Sequence, residues 1–250
     1  GYGGDVILSV GASSTDIGGN VLATSGISTP LTGGAISFAS GLGTSTSSGS
    51  IILRTANAGT NGVSGALSFV TGTTSSGSSG KVLVSSGSAT AGKGGDIVFT
   101  VGSGNTGNGG DIRLTAAETT AASSNGGAIE FTAGTGSSGT AGAGGHANFV
   151  GGEGQSHTGG SVSVSSGAGV VSSSGSIILQ SVNAGTSGVS GSIHFSSGTT
   201  SSGASGKIVF QSGAATNGVA GEIMLSVGTS STDIGGNVLL DSGDSAVNTG

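Results

Sequence analysis

Large apolar side chains recur along the whole chain in a short, regular pattern. A glycine, termed the repeat glycine, is followed two positions later by Val, Ile or Leu and four positions later by Leu, Val or Phe, with one exception at each position (Ala147 and Ala23). Such alternation with a period of two is typical of a β-strand with one buried face. The sixteen repeat glycines, most of them fifteen residues apart, are Gly4, Gly19, Gly34, Gly49, Gly65, Gly80, Gly95, Gly110, Gly127, Gly145, Gly160, Gly175, Gly191, Gly206, Gly221 and Gly236.

The second and fourth positions after each repeat glycine form the ladder, which is predicted to be the buried core. All seven Phe of the chain occupy its fourth position. If successive repeats stack, these side chains pile on one another and form a continuous apolar row. The members singled out as core residues are Val6, Leu8, Ile36, Phe38, Leu67, Phe69, Ile97, Phe99, Ile129, Phe131, Phe149, Ile193, Phe195, Ile208 and Phe210.

The rest of each repeat is a return segment of about nine residues, rich in Ser, Thr, Ala and Gly. It is too short for the helical crossover that joins parallel strands in α/β proteins. The pattern therefore predicts an all-β fold: a flattened β-solenoid, or β-helix, of about sixteen coils spaced about 4.8 Å apart. One wall would be Val, Leu and Phe and the other Ser, Thr, Ala and Gly; a triangular cross-section is the alternative. We expect residues 1–250 to be one continuous array and a segment of a longer repeat protein.

The third position after the repeat glycine lies between the two ladder positions and should face outward. It is apolar in nine of the sixteen repeats, although a water-exposed strand face is usually polar. We interpret these residues, termed the stripe, as a lateral contact covered by another copy, another chain or a flanking part of the polypeptide. The alternative is that β-propensity alone favours them. The stripe comprises Ile7, Leu22, Ile52, Leu83, Val98, Ile178, Val209, Met224 and Leu239.

Composition excludes several classes of protein. The chain has 57 Gly, one Pro and no Cys among 250 residues, which is typical of a flexible linker, yet a linker would not keep the ladder in phase. Five Lys and Arg and a net charge of −6 supply no basic surface for nucleic acid. No apolar run is long enough to insert into a membrane as a helix.

Candidate chemistry is sparse. His146 and His157 flank Glu153, which could indicate a metal or acid–base site, but no second cluster supports it. Asp16 and Asp233 each precede Ile-Gly-Gly, where a carboxylate can accept turn N–H bonds, calcium binding being the weaker alternative. We therefore expect no catalytic residues, no cofactor and no metal site, and hence no enzyme.

The repeat Gly-Gly-Asp-Val-Ile-Leu-Ser-Val-Gly, residues 3–11, and its variants resemble the Gly/Ser-rich short-coil β-solenoid repeats of large extracellular fibres, adhesins and cell-surface proteins. The resemblance implies an extracellular or cell-surface, non-catalytic structural protein that associates with itself, head to tail or laterally. An ice-binding or adhesin-type surface is the alternative, because Ser or Thr is frequent at the fifth position. The fibre interpretation depends on phenyl rings that lie inward, on one line and out of water.

Overall fold

The computed structural model describes residues 3–15, 17–137, 142–231 and 234–243. Within these ranges the backbone forms extended segments, bends and short turns, with neither a helix nor a β-strand. The prediction of an all-β fold, a β-solenoid or β-helix, is therefore wrong for the chain in this structure. Alternating apolar residues give extended segments, but these segments do not exchange the backbone hydrogen bonds that define a sheet.

The sequence repeat is nevertheless visible in the backbone. One bend or turn falls in the return segment of each described repeat, at the Ser-, Thr- and Gly-rich part of the sequence. The bends and turns between the ends of the chain lie at residues 29–31, 44–46, 60–61, 75–77, 90–92, 105–108, 121–123, 155–157, 170–172, 186–188, 201–203 and 216–218.

Six of the return segments are closed by a backbone hydrogen bond, termed the neck. In each neck the N–H of the repeat glycine donates to the carbonyl oxygen of the residue that ends the preceding extended segment. The return segment thereby becomes a loop whose two ends meet. The necks are Gly34 to Gly26 (2.9 Å), Gly49 to Gly41 (3.0 Å), Gly127 to Ala117 (2.9 Å), Gly145 to Gly134 (2.8 Å), Gly160 to Gly152 (2.8 Å) and Gly175 to Gly167 (3.0 Å).

Consecutive repeats also approach each other closely at the repeat glycine. A Cβ placed on the repeat glycine Gly34 would lie 3.3 Å from the Cβ of Ser25, the sixth residue of the preceding repeat. The same relationship recurs between Gly49 and Ser40, at 3.4 Å, and between later pairs. At Gly34 an added Cβ would require its neighbours to shift by a few tenths of an ångström, whereas at later repeat glycines such as Gly95 (3.5 Å) it would make an ordinary van der Waals contact.

No described residue, apolar or polar, is buried. The accessible surface is 24540 Å², whereas a compact chain of 22.8 kDa would expose roughly 10,000 Å² and a fully extended one roughly 33,000 Å². The predicted core residues thus lie at the surface. The physical reason is that the return segments, made of Ser, Thr, Ala and Gly, carry few large apolar groups and do not close over the ladder.

The chain divides into two compact units, Gly1–Thr115 and Ala116–Gly250. Bends recur along the described part of each unit, and the duplicated sequences Thr74–Val82 and Thr200–Ile208 form the same turn. In both copies the Thr hydroxyl donates to the carbonyl oxygen two residues later at 2.9 Å, and it accepts from the N–H of that same residue at 3.3 Å. The continuity of all the repeats as one array stays a prediction.

Candidate interaction surface

The exposed fraction of the side chains follows the predicted alternation at the first ladder position only. At the first ladder position Ile97 is 47% exposed, whereas the neighbouring stripe residue Val98 is 73% exposed. The same order holds in the other repeats that carry a stripe residue, except the first, where Val6 is 100% and Ile7 84% exposed. The fourth position shows no such shielding, because Phe99 is 71% exposed and Phe210, at 68%, is more exposed than the stripe residue Val209, at 58%. Neither face is therefore covered.

The fourth-position side chains of consecutive repeats are neighbours where both are Phe. Phe131 and Phe149 meet edge to face with ring centroids 6.2 Å apart at an interplanar angle of 81°, and Phe195 and Phe210 do the same at 6.2 Å and 83°. Such pairs contribute about 0.5–1.5 kcal/mol beyond area burial. The rings thus form local pairs in the second unit, but they lie in water. The inward, water-free rings on which the fibre interpretation depended are therefore not found, and a function has to be inferred from the exposed rows instead.

The stripe is the most exposed of the apolar rows. Its members range from 58% exposed at Val209 to 85% at Leu22. Nothing in the structure covers them, and their role as a lateral contact stays a prediction.

The described ion pairs are short-range and lie in water. Lys93 bonds to Asp96, with a shortest N–O distance of 2.8 Å, and Arg113 bonds to Asp111 at 2.6 Å. Pairs this exposed contribute about 0–1 kcal/mol each. They offset charge locally and leave the apolar rows as the main surface feature.

The candidate chemical residues do not form a site. Among the described residues no group of three or more His, Asp or Glu could hold a metal ion, so His146, Glu153 and His157 are not brought into one. Asp16 and Asp233 lie outside the described residues. The recess beside Arg54 is lined by four consecutive residues, 54–57, and brings no distant parts of the chain together.

Sequence reasoning missed the contact between the repeat glycine and the small residue of the preceding repeat. The signal was present, because the sixth residue after every repeat glycine is Ser, Thr, Ala, Val or Gly and is never larger than Val. A small residue always placed against a glycine indicates close packing between repeats.

Comparison with protein families, with curated proteins and with solved structures finds no match to this chain. In the part of the chain that the structure describes, there is no helix of the length and hydrophobicity needed to span a membrane.

Proposed function

We propose that this chain is a non-catalytic structural component that assembles with further copies of itself, and that the ladder is its contact surface. The observation that carries the proposal is the row of large apolar side chains that the chain leaves in water in every regular repeat. An uncovered apolar row of this kind is a common mark of a protein–protein contact.

The size of the row supports an assembly. The four Phe of the second unit, Phe131, Phe149, Phe195 and Phe210, are 56–69% exposed. A Phe side chain buries about 150–250 Å² when covered, so each ring still offers on the order of 100 Å². With the aliphatic ladder residues beside them, this exceeds the few hundred Å² of apolar patch that a monomeric soluble protein usually shows.

A second copy of the chain is the partner that fits this row. A second copy presents the same side chains at the same sequence interval, so each repeat of one copy can contact a repeat of the other. The charge on the chain is low, with 6% charged residues, so like-charge repulsion opposes association only weakly. Head-to-tail contacts that do not close generate filaments, and lateral contacts join them.

The resemblance of the repeats to those of extracellular fibres and cell-surface proteins supports an extracellular or cell-surface location. The same resemblance supports the absence of catalysis. The scarcity of charged side chains supports it too, because few such groups are available to form an active site.

The proposal is tested by the oligomeric state of a ladder variant and a matched control. The double variant Phe195→Ser/Phe210→Ser removes two ladder rings. Val170→Ser/Val171→Ser removes two apolar residues that are 97% and 98% exposed, but in a bend. Because a Phe contributes about 1.5–3 kcal/mol when buried, the ladder variant should assemble at least about tenfold more weakly.

Analytical ultracentrifugation over a range of concentrations, with electron microscopy of the largest species, measures the effect. The natural chain and the bend variant should assemble alike, and the ladder variant should shift toward monomer. A natural chain that stays monomeric at every concentration, or a ladder variant that assembles as well as the bend variant, would contradict the proposal.

A further inference from the structure

Four Asn-Gly pairs lie in the chain, and every one is exposed. They are Asn61-Gly62, Asn108-Gly109, Asn125-Gly126 and Asn217-Gly218. Three of the four asparagines fall in a turn or bend, and Asn125 lies two residues after the turn at 122–123. None belongs to the ladder or the stripe, so the proposed assembly does not use them.

An exposed Asn-Gly pair can react without an enzyme. The backbone nitrogen of the glycine attacks the side-chain amide carbon of the asparagine, a new C–N bond closes a succinimide ring, and ammonia leaves. Water then opens the ring and gives aspartate or isoaspartate. Glycine favours this reaction because it has no Cβ to hinder the approach, and asparagine is among the chemically labile residues of proteins.

Two of the pairs share nearly the same local sequence but differ in structure. Both read Thr-Asn-Gly-Val, at residues 60–63 and 216–219. The Gly62 N–H donates to the carbonyl oxygen of Gly59 at 3.3 Å, which closes a turn. The Gly218 N–H, by contrast, donates no hydrogen bond within the described residues, and a Cβ placed on Gly218 would meet no atom within 4 Å.

We propose that Asn217 is a site of spontaneous deamidation, and that Asn61 is protected relative to it by the hydrogen bond of the Gly62 amide. That bond must break before the nitrogen can attack. A typical hydrogen bond of about 1 kcal/mol would slow the reaction about fivefold. Because 3.3 Å is longer than usual, the expected difference is roughly threefold. Each event adds one negative charge to a chain whose formal net charge is −6.

The chain allows a direct comparison because each Asn-Gly pair falls in its own tryptic peptide. Cleavage after Arg54, Lys81, Lys93, Arg113 and Lys207 separates all four pairs. The purified full chain is held at mildly alkaline pH and body temperature, sampled over weeks, digested and analysed by mass spectrometry. Isoaspartate is measured independently by enzymatic methylation of the same peptides.

The matched controls are the full chain in concentrated urea and the variant Asn217→Ser. Serine already stands at the corresponding place in another copy of the turn, as Ser187 in Thr-Ser-Gly-Val. In buffer, the peptide of residues 208–250 should accumulate aspartate and isoaspartate roughly threefold faster than the peptide of residues 55–81. In urea this difference should disappear. Asn217→Ser should abolish the gain in its peptide, which assigns the reaction to this residue.

Equal rates in buffer for the two peptides would overturn the protection of Asn61. If Asn217 stays unmodified in buffer over a period in which the chain in urea reacts, then Asn217 is not a site of spontaneous deamidation in the folded chain.

Discussion

Phe195 and Phe210 meet edge to face with ring centroids 6.2 Å apart, yet both rings lie largely in water. Side chains fifteen residues apart are thus brought together by the repeat without being buried by it. The repeat determines which side chains are neighbours, but no other part of the described chain covers the paired rings. The same holds for Phe131 and Phe149, which also belong to consecutive repeats.

The first prediction concerns this pair. Phe210→Leu keeps an apolar side chain but removes the ring, so the ring-proton resonances of Phe195 should shift in the NMR spectrum of the dilute chain. The resonances of Phe131 and Phe149, which have each other as partners, should stay in place and serve as the control. Unchanged Phe195 resonances would show that the two rings do not meet.

The second prediction concerns the contact between repeats. Gly34→Val places a branched side chain where a Cβ alone would lie 3.3 Å from both the Gly26 nitrogen and the Ser25 Cβ. The neck should open, at a cost of about 1 kcal/mol for the lost hydrogen bond. Hydrogen exchange at residue 34 measures the opening and should accelerate roughly fivefold.

Gly11→Val is the matched control, because a Cβ at Gly11 meets no atom within 4 Å. It should leave exchange at Gly34 unchanged. If Gly34→Val exchanges as slowly as the natural chain, the close approach of Ser25 does not constrain this position.

These glycines show how much of the structure could be predicted from sequence. The period and the shielding of the first ladder position follow from local sequence, and the structure keeps them: Ile97 is more shielded than Val98, and the described bends recur in the return segments. Pairing into a sheet and burial of Phe38 or Phe99 depend on cover from distant residues. Periodicity shows which face needs that cover, but it cannot show that the Ser- and Gly-rich return segments fail to supply it.

The candidate site was predictable to a similar extent. The ladder and the stripe were identified as apolar rows, and both are rows on the surface of the described chain. The role of the ladder as a core was wrong because nothing lies against it. The paired contact of Gly34 and Ser25 was missed because the repeat glycines were used only to define the period of the repeat.

A third prediction uses the duplicated turns. Gly77 and Gly203 adopt φ of +100° and +104°, in the region that side chains other than glycine rarely occupy. Alanine at either position should destabilise its turn by about 1–2 kcal/mol. Limited proteolysis at the turn should accelerate equally in the two variants, because the two copies share their hydrogen bonds.

Gly72→Ala and Gly198→Ala are the controls for these variants. Both glycines have open space around a Cβ and no positive φ, so cleavage should be unaffected. If proteolysis accelerates in only one of the two variants, alanine at Gly77 or alanine at Gly203, the two copies of the turn are not equivalent.

A fourth prediction concerns the forces that hold the assembly. Contact through an apolar ladder should weaken on cooling and strengthen in sulfate, because both conditions act on apolar burial. Sodium chloride in the physiological range should have little effect, since screening acts on charges and the chain has few. Light scattering over temperature and salt measures this, and dissociation by sodium chloride alone would indicate that charges hold the copies together.

The most direct test is residue-resolved hydrogen exchange of the chain, first as a dilute monomer and then as an assembly. We predict fast exchange along the ladder segments of the monomer, such as residues 97–99 and 208–210. In the assembly, protection should appear in these segments. Strong protection of the ladder segments already in the dilute monomer, together with a β-sheet circular dichroism spectrum, would contradict it, because the chain would then cover its ladder without a partner.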